Sequence, residues 1–137
     1  MPAACRRAAA LGAVAILALT ACSNEPAVNR RPQSGSATAS PVNGIQQITI
    51  DAGDDYRFHP STVTVFPGEV QVVLKHTGTG APHDWELPQF PADFVPITAA
   101  GQTSEATFVA PAPGQYQFVC TIHRAQGQVG TLIVKPG

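Results

Sequence analysis

The sequence predicts an all-β protein, a small sandwich of about seven or eight strands over residues 45–137. Three observations predict it. From Ile45 onward, short apolar runs rich in Val, Ile, Thr, Phe and Tyr are broken by Gly and Pro at close intervals. Several of these runs alternate apolar and polar residues, the period of a half-buried strand. No window carries a helical period over three turns.

The strands follow in order. QQITIDA at 46–52 alternates, and STVTVFPGEVQVVLKH at 61–76 reads as strand, turn at Pro67-Gly68, strand. HDWELP at 83–88 is a short strand. TSEATFVAPAPGQYQFVC at 103–120 is strand, Pro/Gly turn, strand, and GTLIVK at 130–135 closes the fold. A domain of about 93 residues has a modest core, so a metal or a tight loop network would add useful stability.

The first 21 residues read as a leader rather than as fold. Arg6 and Arg7 form a positive start, and a twin arginine also hints at one export route. AAALGAVAILALTA at 8–21 suits a signal-peptide core but is short of the roughly 20 residues that span a bilayer as a helix. The run ends Leu19-Thr20-Ala21-Cys22, which resembles the lipobox of bacterial lipoproteins. That resemblance implies cleavage before Cys22, a lipid on its sulfur, and a site on the outer face of the cytoplasmic membrane. Ordinary cleavage near Ala21 is the alternative. Residues 23–44, rich in Ser, Pro, Ala and Asn, are expected to be a flexible tether with a reach of roughly 25 Å.

Three cysteines are present. Cys5 leaves with the leader and Cys22 carries lipid, so Cys120 remains alone in the domain. In an oxidising compartment a lone thiol is buried and inert, intermolecular, or chemically employed. Of the 8 Lys and Arg, two lie in the leader, which leaves six against 9 Asp and Glu. With no basic run, nucleic acid is not an expected partner.

Strand parity places the chemistry. In the strand before the last, Tyr116, Phe118 and Cys120 share one face, with Gln115 and Gln117 on the other. In HDWELP, His83, Trp85 and Leu87 share a face opposite Asp84 and Glu86. His83 and Cys120 therefore both point inward at strand ends. The loop CTIHRAQGQ adds His123 three residues after Cys120 and Gln128 five further on. Taken singly, a His or a Cys is more often structural than functional; the combination is what carries weight.

This pattern, His83 leading a strand and then Cys120-x2-His123-x4-Gln128 before the last strand, resembles the cupredoxins, the small blue-copper electron carriers. The resemblance covers the whole domain, including YRFHPSTVTVFPGE, PHDWELP and PGQYQFVC. It implies a Greek-key sandwich and one type 1 copper ion cycling between Cu(II) and Cu(I). Cys120 would be its thiolate, His83 and His123 its imidazoles, and Gln128 its axial ligand. Most family members have Met at that axial position, but the single Met is Met1. A Gln there is of the stellacyanin kind, and its harder oxygen favours Cu(II). The N–H of Ile122, where many relatives have Pro, is expected to reach the Cys120 sulfur. Asp84 is expected to tie the two ligand loops together through backbone N–H groups.

The resemblance also implies a monomer whose redox partner docks near His123, with one ring edge at the surface. Gly80, Ala81, Pro82 and Ala125 would supply small apolar groups around it. His59 and His76 are read as surface residues, and Trp85, Tyr56, Phe58, Phe66 and Phe108 as packing. Rival readings are a copper-binding or delivery protein, a zinc site and a cysteine-nucleophile enzyme. The lack of a mature Met or a His cluster counts against delivery. A binuclear copper centre would need a second cysteine in the loop.

Overall fold

The computed structural model describes residues 33–137. The strands are β1 (Ser36–Thr38), β2 (Ser40–Val42), β3 (Ile45–Ala52), β4 (Phe58–His59), β5 (Thr62–Val65), β6 (Glu69–His76), β7 (His83–Leu87), β8 (Phe90–Thr98), β9 (Thr103–Val109), β10 (Gly114–Val119) and β11 (Val129–Val134). One sheet runs β1-β5-β11-β10-β7-β8 and the other β2-β3-β6-β9, with β4 against β3. The result is the two-sheet all-β Greek-key sandwich that the sequence predicts.

Four strands go beyond the seven runs read from sequence, and each has a physical reason for having been silent. β1 and β2 fall inside the expected tether, which corrects its boundary: the domain begins by Ser36, not at Ile45. These short segments are held by backbone pairing, β1 parallel to β5 and β2 antiparallel to β3. Only Ala39 between them is buried, so their polar composition gives no hydrophobic signal. β4 has two residues. β8 contains Pro91 and Pro96, which a sheet tolerates because β8 is an edge strand. The leader, Cys22 and the first part of the tether lie outside the described residues.

The core forms where the inward rows of both sheets meet. Trp85 of β7, Phe118 of β10, Phe58 of β4 and Phe108 of β9 make its aromatic centre, with Phe58–Phe118 centroids 5.3 Å apart and Trp85–Phe118 5.5 Å. Ile50, Leu74, Leu87 and Leu132 complete it, all fully buried. Phe66, by contrast, is 45% exposed, so its expected packing role does not hold.

Gly130 on β11 lies opposite Phe118 on β10. A Cβ there would meet Phe118 Cζ at 2.2 Å and the Ser61 carbonyl oxygen at 2.6 Å. One contact is a fully buried ring and the other is backbone, so neither can yield cheaply. Gly130→Ala is expected to cost about 3 kcal/mol or more, at the upper end of overpacking. Urea unfolding of the full-length chain reads this as a lowered midpoint with little change in slope.

Candidate metal centre

Two strand ends and one loop converge at one end of the sandwich. His83 opens β7, where its backbone pairs with Thr98 of β8. Strand parity turns His83, Trp85 and Leu87 into the core, as expected, and leaves Asp84 and Glu86 half-buried. Cys120 follows β10 directly and is fully buried.

The loop from Cys120 to Gln128 then closes on itself. Cys120 N–H donates to the Gln128 carbonyl at 3.0 Å, and Gln128 N–H donates to the His123 carbonyl at 3.2 Å. A single 3-10 turn, Arg124–Gln126, ends at Gly127 with a φ of 83°, a conformation that glycine takes without strain. This turn brings Gln128 back beside the residues that began the loop.

His83, Cys120 and His123 offer donor atoms that all lie within 4.8 Å of one another, and all three residues are buried. Cys120 Sγ is 3.5 Å from His123 Nδ1. Gln128, fully buried, places its Oε1 2.8 Å from His83 Nδ1. An amide oxygen only accepts, so this contact requires Nδ1 of His83 to carry the proton and donate it. The other amide end donates to the Arg57 carbonyl at 3.5 Å, which keeps the oxygen turned toward the histidine. The four residues singled out from sequence are thus brought together.

The two halves of the site are tied as the sequence reading expected of Asp84. Thr121 N–H donates to Asp84 Oδ1 at 2.6 Å, and the Thr121 hydroxyl bonds Oδ2. Backbone hydrogen bonding from Asp84 and His123 favours the Cys120 thiolate.

Burial dominates the electrostatics. It pushes the Cys120 thiol above its ordinary value, and the backbone hydrogen bonding offsets this only in part. It also pushes His83 and His123 below 6.5, although hydrogen bonding to Gln128 works the other way in both. For His83 the neighbouring His76 and His123 lower the value further. Near neutral pH the metal-free cluster is therefore a thiol and two neutral imidazoles. Its chemistry fits a metal of soft to intermediate character: one sulfur, two ring nitrogens and an amide oxygen, with no carboxylate among the converging donors.

A pH dependence follows with a definite sign. The unfolded histidines take up protons near 6.5 and the folded ones only at lower pH. Stability of the metal-free chain is therefore full above pH 6.5 and falls as pH drops through the folded values. Denaturant midpoints measured from pH 7.5 downward check this, and a midpoint rising on acidification would contradict it.

One residue near the centre departs from its sequence reading. His76, read as a surface residue, is 2% exposed and lies against the His83 ring at 4.7 Å. Its Nδ1 accepts from Gly78 N–H at 3.1 Å, so Nε2 carries the proton and donates to the Ala81 carbonyl at 2.8 Å. Parity could have found it, since Val70, Val72, Leu74 and His76 form the buried row of β6. Tyr56, read as a packing residue, packs its ring 4.7 Å from that of His123. His123 itself is only 5% exposed, against the expected surface edge. His59 is exposed as expected and pairs with Asp55 at 2.7 Å.

A two-sheet β-sandwich with a buried Cys-His-His cluster between strand ends defines a class of small metal-binding domains. The family profile of cupredoxin-like domains matches residues 12–134, and the chain belongs to that family. A 38-residue stretch is 47% identical to plastocyanin from Synechococcus sp. (strain JA-2-3B'a(2-13)). The stretch takes in 28% of this chain and 28% of that protein, so the match spans under a third of plastocyanin's length. Among solved structures, reduced auracyanin from Roseiflexus castenholzii is 26% identical with a TM-score of 0.59, covering 66% of this chain and 97% of that one. The metal-binding domain of the Cu(I)-exporting P-type ATPase CopA from Streptococcus pneumoniae D39 has a TM-score of 0.60, covering 75% of this chain and 98% of that one. At 19% identity it is a likeness of fold alone.

Proposed function

We propose that the protein is a one-electron carrier with a single type 1 copper site. His83, Cys120 and His123 would hold the metal, with Gln128 as axial ligand. The observation that carries this is the buried convergence of one sulfur and two imidazoles within 4.8 Å, together with the Gln128 oxygen 2.8 Å from His83 Nδ1. Bound copper supplies reversible one-electron exchange between Cu(II) and Cu(I).

The chain's own contribution is to hold the donors still and dry. With copper bound, Cys120 would be held as the thiolate, its proton released to solvent, and His83 as the neutral imidazole with its proton shifted from Nδ1 to Nε2, so that the ring releases none. The Asp84–Thr121 tie and the closed Cys120–Gln128 loop keep the donors in place whichever charge the site carries, which limits rearrangement. Copper titration in weak buffer should release about one proton from Cys120, with affinity rising as pH rises.

The wider setting belongs to the same reading. Lipid on Cys22 would hold the domain as a monomer outside the cytoplasmic membrane, within reach of redox partners docking near His123. Mass measurement of the mature N-terminus tests this, with a diacylglyceryl-modified Cys22 expected and a free Cys22 against it.

Copper delivery is the second reading. The single Met of the chain is Met1, so the mature protein lacks the thioether donors that suit Cu(I) transfer. Voltammetry of the copper-loaded chain separates the two. A reversible one-electron couple supports the carrier; metal loss on reduction supports delivery.

A further inference from the structure

Tyr56 lies between β3 and β4 with a φ of 55°. For a bulky aromatic residue this left-handed conformation costs about 1 kcal/mol or more, and glycine would adopt it freely. The turn that imposes it closes with Tyr56 N–H donating to the Gly53 carbonyl at 3.1 Å. The turn's side-chain bonds come from Asp54, which accepts from Gly80 N–H at 2.9 Å, and Asp55, which accepts from Arg57 N–H at 3.1 Å; the Tyr56 ring is not needed to close it.

What the strained position provides is placement. The ring centroid is 4.7 Å from that of His123 and 6.3 Å from that of His83. The backbone beneath it is joined to the ligand loop by one guanidinium nitrogen: Arg57 NH1 donates to the Tyr56 carbonyl at 2.7 Å and to the Gln126 carbonyl at 3.0 Å. Cover and loop are thereby one unit. His123, in a loop at the end of the domain, is only 5% exposed.

We infer that Tyr56 is a cover over the outer edge of the metal centre, which keeps water and small ligands such as azide or imidazole off His123. A thin aromatic lid blocks ligand exchange while leaving the metal-bound ring only one side chain from the surface. In purpose the inference rests on the copper reading, but its test needs no metal.

The test is carbethoxylation of the metal-free, full-length chain by diethyl pyrocarbonate, followed residue by residue with peptide mass spectrometry. His59, exposed, is the fast internal reference, and His76, buried, the slow one. In the wild type His123 should react at least about tenfold more slowly than His59. Tyr56→Gly, which suits the backbone, should remove most of that protection while His76 stays slow. Tyr56→Phe should keep it, because the ring and not the hydroxyl is the cover.

Three results would overturn the inference: His123 as reactive as His59 in the wild type, protection unchanged in Tyr56→Gly, or protection lost in Tyr56→Phe. Should His76 also become reactive in Tyr56→Gly, the fold has opened, and the wild-type and Tyr56→Phe rates decide. A chain with protected His123 that fails to form a copper site would sink the copper reading and leave the cover standing.

Discussion

Replacing Gln128 with Met is expected to raise the reduction potential of the copper-loaded protein by at least about 60 mV, a tenfold change in the relative affinity for the two oxidation states. The direction comes from donor hardness. An amide oxygen stabilises Cu(II) more than Cu(I), and a polarisable thioether reverses that preference. The backbone hydrogen bonding from Asp84 and His123 that favours the Cys120 thiolate acts in the opposite sense to the Gln128 oxygen, but it remains in the variant. Met also fits the volume of a fully buried Gln. It gives up the amide's contact to the Arg57 carbonyl, which should cost about 1 kcal/mol of stability. An unchanged or lower potential would remove Gln128 from the axial role.

Cys120→Ser should have the larger effect on binding, lowering copper affinity by at least about a hundredfold, since a thiolate is replaced by a hydroxyl that does not ionise near neutral pH. The variant should also release about one proton fewer per metal bound, because in the wild type the Cys120 thiol is held protonated by burial. The side chain is fully buried, so exchanging sulfur for a more polar oxygen costs about 1–3 kcal/mol of stability. Backbone hydrogen bonding from Asp84 and His123 remains open to the hydroxyl, which keeps the fold intact. Competition titration reads the affinity and titration in weak buffer reads the protons. Equal affinity and equal proton release would place the metal elsewhere.

The parts of this site that were legible in the sequence are those governed by local rules. Strand period alone turned His83 and Cys120 inward, and the short loop brought His123 and Gln128 back within reach. Parity placed Asp84 only on the outward face; its tie to the ligand loop was expected from the resemblance to the cupredoxins, as was the axial place of Gln128. His76 was equally accessible to parity, yet its place before a Gly-rich loop suggested the surface.

Tyr56 was not legible. Its position depends on a left-handed turn and on packing against a loop some 70 residues away in sequence, neither of which leaves a periodic trace. β1 and β2 were hidden because backbone pairing, not side-chain burial, holds them, so a Ser- and Pro-rich composition reads as tether. A truncation starting at Ile45 would remove both strands, and with them the bond from the Gln33 side chain to the Gly127 carbonyl at 2.7 Å. Variants are therefore best made in the full-length chain.

The most direct measurement is the visible and EPR spectrum of the full-length chain titrated with Cu(II). One equivalent should produce an intense thiolate-to-copper band with narrow copper hyperfine splitting, both saturating together. A colourless product, or weak absorption with an ordinary tetragonal spectrum, would contradict a type 1 site at His83, Cys120 and His123.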